Sequence, residues 1–510
     1  RSTLFPYTTL FRSALADKEG NVVSNSLKQG FPRDITAGGL LKIDIAEGKE
    51  IHLEIPVEPK EEMSGRAPSV LFRSDKQKEL YEDEAAAHSV RHVLKNCAFP
   101  VTEVRLGERT SFEDGVLTVR KSLEAEAQGC NDLVKSAELD IIYPDKQHVY
   151  TNSMMDVQPI AVKKEGMLGE GTTFEMTGVY MMLTGTDEAG LQIADANVSN
   201  GIYEENVEFG RPGAPDRDAF IIRLNVTIQE GCGMERPGPL AAHQALDIIT
   251  QELREVLKEK DASTAAAERE YLDVERQGAL RILLVKEIMG QGAMHDNLIL
   301  PDEPCGFLGG RPNVDLGNVP VLLRPNEVLD GGIHALTCIT PDTKETSLHY
   351  WREPYLKRLA SDPEIDLLGV LFVGSPQANT EKFYVSGRVG AIVEALNPDG
   401  CIVTTEGFGN NHIDFASHIE QIGSLGIPVV GCSYCGVQGA LVVGNKYMDV
   451  MVDHCVTEHG NVEDILAKNT GTEETAIRAV ALVKNKIVGE KIRQAERLTQ
   501  IGRASCRERV

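Results

Sequence analysis

The chain has 510 residues and a formal charge of −25, an acidic balance that repels phosphate backbones and excludes nucleic acid as the expected partner. It is long enough to bury large cores without disulfide staples, and it holds no run of about eighteen apolar residues, so no membrane-spanning helix is expected. Its ten cysteines lack the paired spacing of a disulfide scaffold, which points to reduced thiols and a cytoplasmic location.

Residues 1–13, RSTLFPYTTLFRS, have neither helical nor strand periodicity and read as a translated sequencing adapter; residues 501–510, IGRASCRERV, read as its reverse complement. Residues 14–57 read as a β-hairpin region, because Leu41, Ile43 and Ile45 alternate, then Ile51, Leu53 and Ile55, across the polar turn Glu47-Gly48-Lys49-Glu50. Residues 58–85 are charged and poor in large apolar side chains, as in a linker. Residues 86–260 mix strand and helix patterns and read as an α+β domain. It closes on a helix with Pro239 at its start and a stripe of Leu246, Ile249, Leu253, Val256 and Leu257. The charged, Ala-rich stretch 261–280 reads as a helical linker.

Residues 281–500 change character. Short apolar runs at 282–285, 319–323, 367–373, 402–403, 427–430 and 441–443 are separated, in the later part, by helical patterns at 381–396 and 412–423. The expected fold is therefore α/β: a mixed N-terminal α+β region followed by a largely parallel doubly wound sheet domain. Ligands bind beyond the carboxyl ends of such strands, where the loops 290–296, 374–377 and 406–412 fall.

No dinucleotide or phosphate loop and no serine-hydrolase elbow is present. His295-Asp296 has no histidine or carboxylate partner at helical spacing, so no metal site is assigned. Cys432 and Cys435 form a lone CxxC and read as packed cysteines without an assigned role. The stretch Asp330-Gly331-Gly332-Ile333-His334-Ala335-Leu336-Thr337-Cys338 offers a tight turn followed by a thiol. A thiol can attack the preceding carbonyl; elimination and hydrolysis then leave a pyruvoyl group, with His334 as a nearby proton carrier. Taken alone this pattern fits any Thr-Cys after Gly-Gly, and a cysteine that merely packs remains open.

Long stretches carry a family resemblance. MERPGPLAAH at 234–243, KEIMGQGAMHDNLILP at 286–301, PNVDLGNVPV at 312–321, VLDGGIHALTCI at 328–339, HYWREP at 349–354, VGSPQANTEKFYVS at 373–386, TTEGFGNNHIDFASHIEQIG at 404–423 and QGALVVGNKYM at 438–448 resemble the proline reductase proproteins of amino-acid-fermenting anaerobes. The chain is more distantly similar to the pyruvoyl-bearing component B proproteins of glycine, sarcosine and betaine reductase. The resemblance implies cleavage between Thr337 and Cys338, with Cys338 becoming the covalent pyruvoyl cofactor on the smaller fragment. It implies that D-proline condenses there as an iminium and is opened to 5-aminovalerate by a separate selenocysteine-containing subunit, in a hetero-oligomer that keeps both cleavage fragments. Supporting roles then fall to His334, His295, Asp296 and Glu406 for protons, and to Arg352, Phe408, Gly409 and Asn410 around the substrate. Two other readings stand beside it: a component B protein for glycine, sarcosine or betaine, and a processing-dead paralogue acting as a scaffold.

Overall fold

The computed structural model describes residues 11–16, 22–24, 39–45, 51–57, 88–192, 200–232, 237–288, 298–299, 314–315, 320–334, 345–376, 379–437, 439–441, 443–461 and 465–489. They belong to two compact units, Arg1–Glu84 and Ala85–Val510.

In the first unit β1 (Phe11–Ala16), β2 (Val22–Ser24), β3 (Gly39–Ile45) and β4 (Ile51–Val57) form an antiparallel sheet of order β2-β1-β3-β4. The expected hairpin is β3–β4, with Ile45 opposite Ile51. Strand β1 includes Phe11, Arg12 and Ser13, three residues read above as adapter, opposite Ile45, Asp44 and Ile43. Ladder pairing uses backbone groups, which any non-proline residue supplies. The linker 58–85 lies outside the described residues.

The second unit begins with β5 (His88–Pro100), a small sheet of β6 (Glu103–Gly107), β7 (Ser111–Glu113) and β8 (Val116–Arg120), then helix α1 (Leu123–Gly129). Strands β9 (Val134–Ile142), β10 (Tyr150–Thr151), β11 (Ser153–Glu165), β12 (Gly171–Asp187), β13 (Gly201–Ile202) and β14 (Phe220–Ile228) lead into helix α2 (Pro237–Lys258) and strand β15 (Ala267–Arg276). The main sheet runs β15-β5-β12-β14-β9, with β11 also on β12. Its long strand β12 pairs with β5 up to Thr177 and with β14 from Val179, and Gly178, at φ +77°, marks the change of partner. Helix α2 buries Leu246, Ile249, Leu253 and Leu257 against this sheet, the stripe read from the sequence. Where a helical linker is expected over 261–280, the chain instead forms β15 as an edge strand on β5. Leu272 and Val274 alternate there with charged residues, the period-2 pattern that the high charge content disguises.

The second sheet contains β16 (Leu280–Ile288), β19 (Val321–Leu323), β20 (Ile365–Gly374), β21 (Gly400–Thr405), β22 (Val429–Ser433) and β23 (Met451–Asp453); β17 (Leu298–Ile299) and β18 (Val314–Asp315) pair separately. Its order is β19-β20-β16-β21-β22-β23, parallel throughout except for the edge strand β19. The parallel strands thus run 2-1-3-4-5 in chain order, and the order reverses between β16 and β21, where open α/β sheets hold their ligands. The connecting helices are α3 (Pro325–Leu329), α4 (Ser347–Trp351), α5 (Pro354–Ser361), α6 (Asn379–Leu396), α7 (Asn411–Ser424) and α8 (Glu473–Ile487). The fold is the expected α/β, with one strand moved: residues 441 and 443 are in no strand, and Met451–Asp453 provides the last one by pairing with β22.

Successive side chains on a strand point to opposite faces. On β16, Ile282 and Leu284 enter the core formed with Tyr350, Tyr355 and α8, whereas Leu283 and Val285 enter the core formed with Phe415, Ile419 and Val389. The same alternation carries the next two residues, Lys286 and Glu287, into separate polar clusters.

Candidate active site

The first cluster lies on the Lys286 face. Lys286 Nζ is 2.8 Å from Glu353 Oε2 and 3.7 Å from Glu406 Oε1. His349 Nε2 is 3.5 Å from each of these two carboxylates. On the other side of Glu406, His454 Nδ1 is 3.2 Å from Oε2, and Tyr355 Oη lies 2.7 Å from His454 Nε2. Gly471 donates its backbone N–H to Glu406, and a Cβ there would come 2.6 Å from the Tyr355 ring, so the glycine permits the approach. All these side chains are buried. Burial would raise the Glu406 carboxyl, but His454, then Lys286 and His349, hold it well below the usual carboxylate range. Burial, followed by Lys286, lowers His349.

A second cluster joins the two sheets. Asp156 on β11 accepts from the Ser347 backbone N–H at 2.8 Å and from the Ser347 hydroxyl at 2.9 Å. Gln158 Nε2 donates to Asp156 Oδ2 at 2.9 Å and sits 2.6 Å from His334 Nε2. The amide hydrogens are thus divided between Asp156 and His334, which makes Nε2 the acceptor and puts the His334 proton on Nδ1. His243, on α2, bonds Pro239 O through Nδ1 at 2.8 Å, so its Nε2 carries the lone pair, 3.7 Å from Asp156 Oδ2. Burial pushes His243 down to about 4, which keeps it neutral. His334 Nδ1, His243 Nε2 and Gln158 Oε1 have no hydrogen-bond partner among the described residues.

The turn before His334 is anchored separately. Asp330 takes the Lys163 ammonium, the Gly169 N–H at 2.8 Å and the Thr173 hydroxyl, and Gly331 has φ +79°. A Cβ on Gly332 would meet Glu327 O at 2.6 Å. These two glycines are held in the tight turn that their sequence suggests.

Of the residues singled out from the sequence, Cys338, Thr337, His295 and Asp296 lie outside the described residues. Glu406 sits at the centre of the first cluster and His334 belongs to the second. Arg352 is elsewhere: its guanidinium is taken by Asp216 Oδ2 at 2.8 Å, the Tyr180 hydroxyl and Ala214 O. Phe408 packs on Tyr434 at 5.3 Å between ring centroids, Gly409 has φ +66° and faces open space, and Asn410 is the N-cap of α7. Cys432 and Cys435 are both buried. Sequence reading missed Lys286, His349, Glu353, His454, Asp156 and His243. The one local signal was His349 and Glu353 four positions apart within HYWREP, although α4 ends at Trp351 and Glu353 is the N-cap of α5.

The family described as glycine/sarcosine/betaine reductase component B subunits matches residues 270–496. The D-proline reductase proprotein PrdA of Acetoanaerobium sticklandii is 50% identical over 467 residues, 90% of this chain and 74% of that protein. The sarcosine reductase complex component B subunit alpha of Peptoclostridium acidaminophilum is 24% identical over 350 residues, covering 65% of this chain and 76% of that one. Glycine reductase complex component B subunits alpha and beta of A. sticklandii are 24% identical over 401 residues, 72% of this chain and 85% of theirs. No solved structure matches. At half identity across nine-tenths of its length, this chain belongs to the D-proline reductase proproteins, within the wider glycine, sarcosine, betaine and proline reductase family.

Proposed function

We propose that this chain is the precursor of the pyruvoyl subunit of D-proline reductase, cleaved between Thr337 and Cys338 and acting with a selenocysteine-containing subunit on D-proline. The observation that carries the proposal is the Asp156 cluster. The residues flanking positions 335–344, His334 on one side and Ser347 on the other, both lie against this one carboxylate, at 3.6 Å and 2.8 Å. A buried site that offers, among the described residues, one unpartnered donor, His334 Nδ1–H, and two unpartnered acceptors, His243 Nε2 and Gln158 Oε1, fits a segment that must exchange protons and end with a carbonyl group. In this reading His334 delivers a proton from Nδ1 and His243 accepts one at Nε2, while Asp156 and Gln158 hold the His334 tautomer. The pyruvoyl group, once formed from Cys338, supplies an electrophilic carbonyl for the secondary amine of D-proline. Glu406, kept ionised by His454 and Lys286, is a carboxylate able to steady a cationic amine, and the Phe408-Gly409-Asn410 loop lies directly after it in the chain. Arg352 serves the substrate carboxylate only if Asp216 yields its guanidinium. His295 and Asp296 retain their proposed proton roles.

Intact mass under denaturing conditions tests the proposal. Two fragments meeting at Thr337 and Cys338, the smaller blocked to Edman chemistry, together with turnover of D-proline but not glycine, sarcosine or betaine in the presence of the selenoprotein subunit and a dithiol, are expected. A chain that stays whole when co-expressed with that subunit overturns the reading.

A further inference from the structure

The polar cluster on the opposite face of β16 is independent of the proline chemistry above. Glu287 ends β16, while Asp414 and His418 stand at i,i+4 on α7, one above the other on the same helical face. All three are fully buried, and one ligand atom from each lies within 4.8 Å of the others.

Among the described residues, each carboxylate has one oxygen engaged and one left over. Glu287 Oε1 accepts the Thr405 hydroxyl at 3.2 Å, and Asp414 Oδ1 accepts Lys382 Nζ at 2.9 Å, with Lys382 steadied by Ser375 at 2.8 Å. Glu287 Oε2 and Asp414 Oδ2 have no hydrogen-bond partner among the described residues, and neither do the two ring nitrogens of His418. A fully buried imidazole without any hydrogen bond is uncommon, because an unmet buried polar group costs about 1–3 kcal/mol. An imidazole ligates through a ring-nitrogen lone pair, and neither His418 nitrogen is engaged among the described residues. Its Nε2 is 3.5 Å from Glu287 Oε2, close to the roughly 3.3–3.4 Å edge of a tetrahedron with metal bonds of about 2.0–2.1 Å. Thr405 and Lys382 hold the outer oxygens as outer-shell partners do around metal-bound carboxylates.

We infer that Glu287, Asp414 and His418 bind a divalent first-row transition ion through Glu287 Oε2, Asp414 Oδ2 and a His418 ring nitrogen. Two oxygens and one imidazole suit zinc, iron(II), manganese or cobalt(II) better than soft monovalent ions. Lys382 pairs with Asp414, so Glu287, giving up its proton on binding, supplies the charge that balances the cation. The site is structural in position: the Thr405 hydroxyl that donates to Glu287 also accepts the Gly407 N–H at 3.2 Å, so an ion there would brace the start of the loop carrying Phe408 and Gly409.

Because the site is closed to solvent, the test loads the metal during folding. The full chain is expressed in minimal medium with Co²⁺, stripped of surface metal by brief chelation, and assayed for cobalt content and visible d–d absorption. About one equivalent of retained cobalt with ligand-field bands is expected, and His418→Leu or Glu287→Gln should lower retention at least tenfold. Glu287→Gln keeps the side-chain shape and the Thr405 contact, and circular dichroism of both variants verifies folding. Wild-type protein that retains no cobalt overturns the inference, as do folded variants that retain as much cobalt with an unchanged spectrum. None of these readouts depends on chain cleavage or proline turnover.

Discussion

Ser347 gives both its backbone N–H and its hydroxyl to Asp156, while His334, thirteen positions earlier, stands 3.6 Å from the same carboxylate. One buried side chain on β11 therefore ties together the two ends of the stretch that holds Thr337 and Cys338. Asp156→Asn turns one acceptor oxygen into a donor facing donors. It is expected to slow cleavage at least tenfold and to lower stability by about 1–3 kcal/mol. A mass-spectrometric time course beside a urea titration checks both effects, and cleavage at the wild-type rate would rule out this positioning role.

Lys286 is the only lysine or arginine among the described residues paired with Glu353 or Glu406, and all three are closed to solvent. Lys286→Met strands two buried carboxylates and is expected to destabilise the fold by about 3–5 kcal/mol. Adding Glu353→Gln should recover part of that loss, since the two residues are coupled. Urea midpoints of the two single variants and the double variant complete the cycle; strict additivity would dissolve the pair.

Buried His243 predicts acid sensitivity. Its folded pKa of about 4 lies below the ordinary 6.5, so between those values the unfolded chain binds more protons than the folded one. Its stabilising contribution is present above pH 6.5 and is lost as pH falls toward 4, by about 3 kcal/mol at most. His243→Gln should flatten the dependence of unfolding free energy on pH in this window. An unchanged slope would mean that His243 is not neutral in the folded protein.

Glu287 carries the opposite sign. Burial, then Asp414, raises its carboxyl well above the ordinary 4.5. The folded state holds that proton longer, so stability declines as pH rises from about 4.5 toward the raised value. Glu287→Gln in metal-free protein should remove this decline. A variant that tracks the wild type across the range contradicts the shift.

Gly471→Ala places a methyl 2.6 Å from the Tyr355 ring and 3.2 Å from Glu406 Oε1. The expected loss is about 1–3 kcal/mol, as for overpacking in a tight core. Thermal unfolding reads it directly, and an unshifted midpoint would show that Tyr355 can move aside.

The sequence alone determined the class of the second sheet. Unbroken apolar runs mark strands buried on both faces, and the intervening helical patterns at 381–396 and 412–423 lie within a residue or two of α6 and α7. Family membership was legible too, because it rests on long contiguous stretches. Charge-rich β15 was misread as helix, because a period-2 pattern on an exposed edge is weak when most of its members are charged. The clusters were beyond reach for a different reason. Asp156 and Ser347 are 191 residues apart, and Glu287 and Asp414 belong to different elements, so no spacing rule joins them. Asp414 and His418 stand at helical spacing in the sequence, but their third ligand arrives only when α7 packs against β16. That Lys286 and Glu287, adjacent in the chain, serve opposite cores follows from strand geometry, but which partners wait on each face was decided by the packing of α4, α5 and α8 on one side and of α6 and α7 on the other.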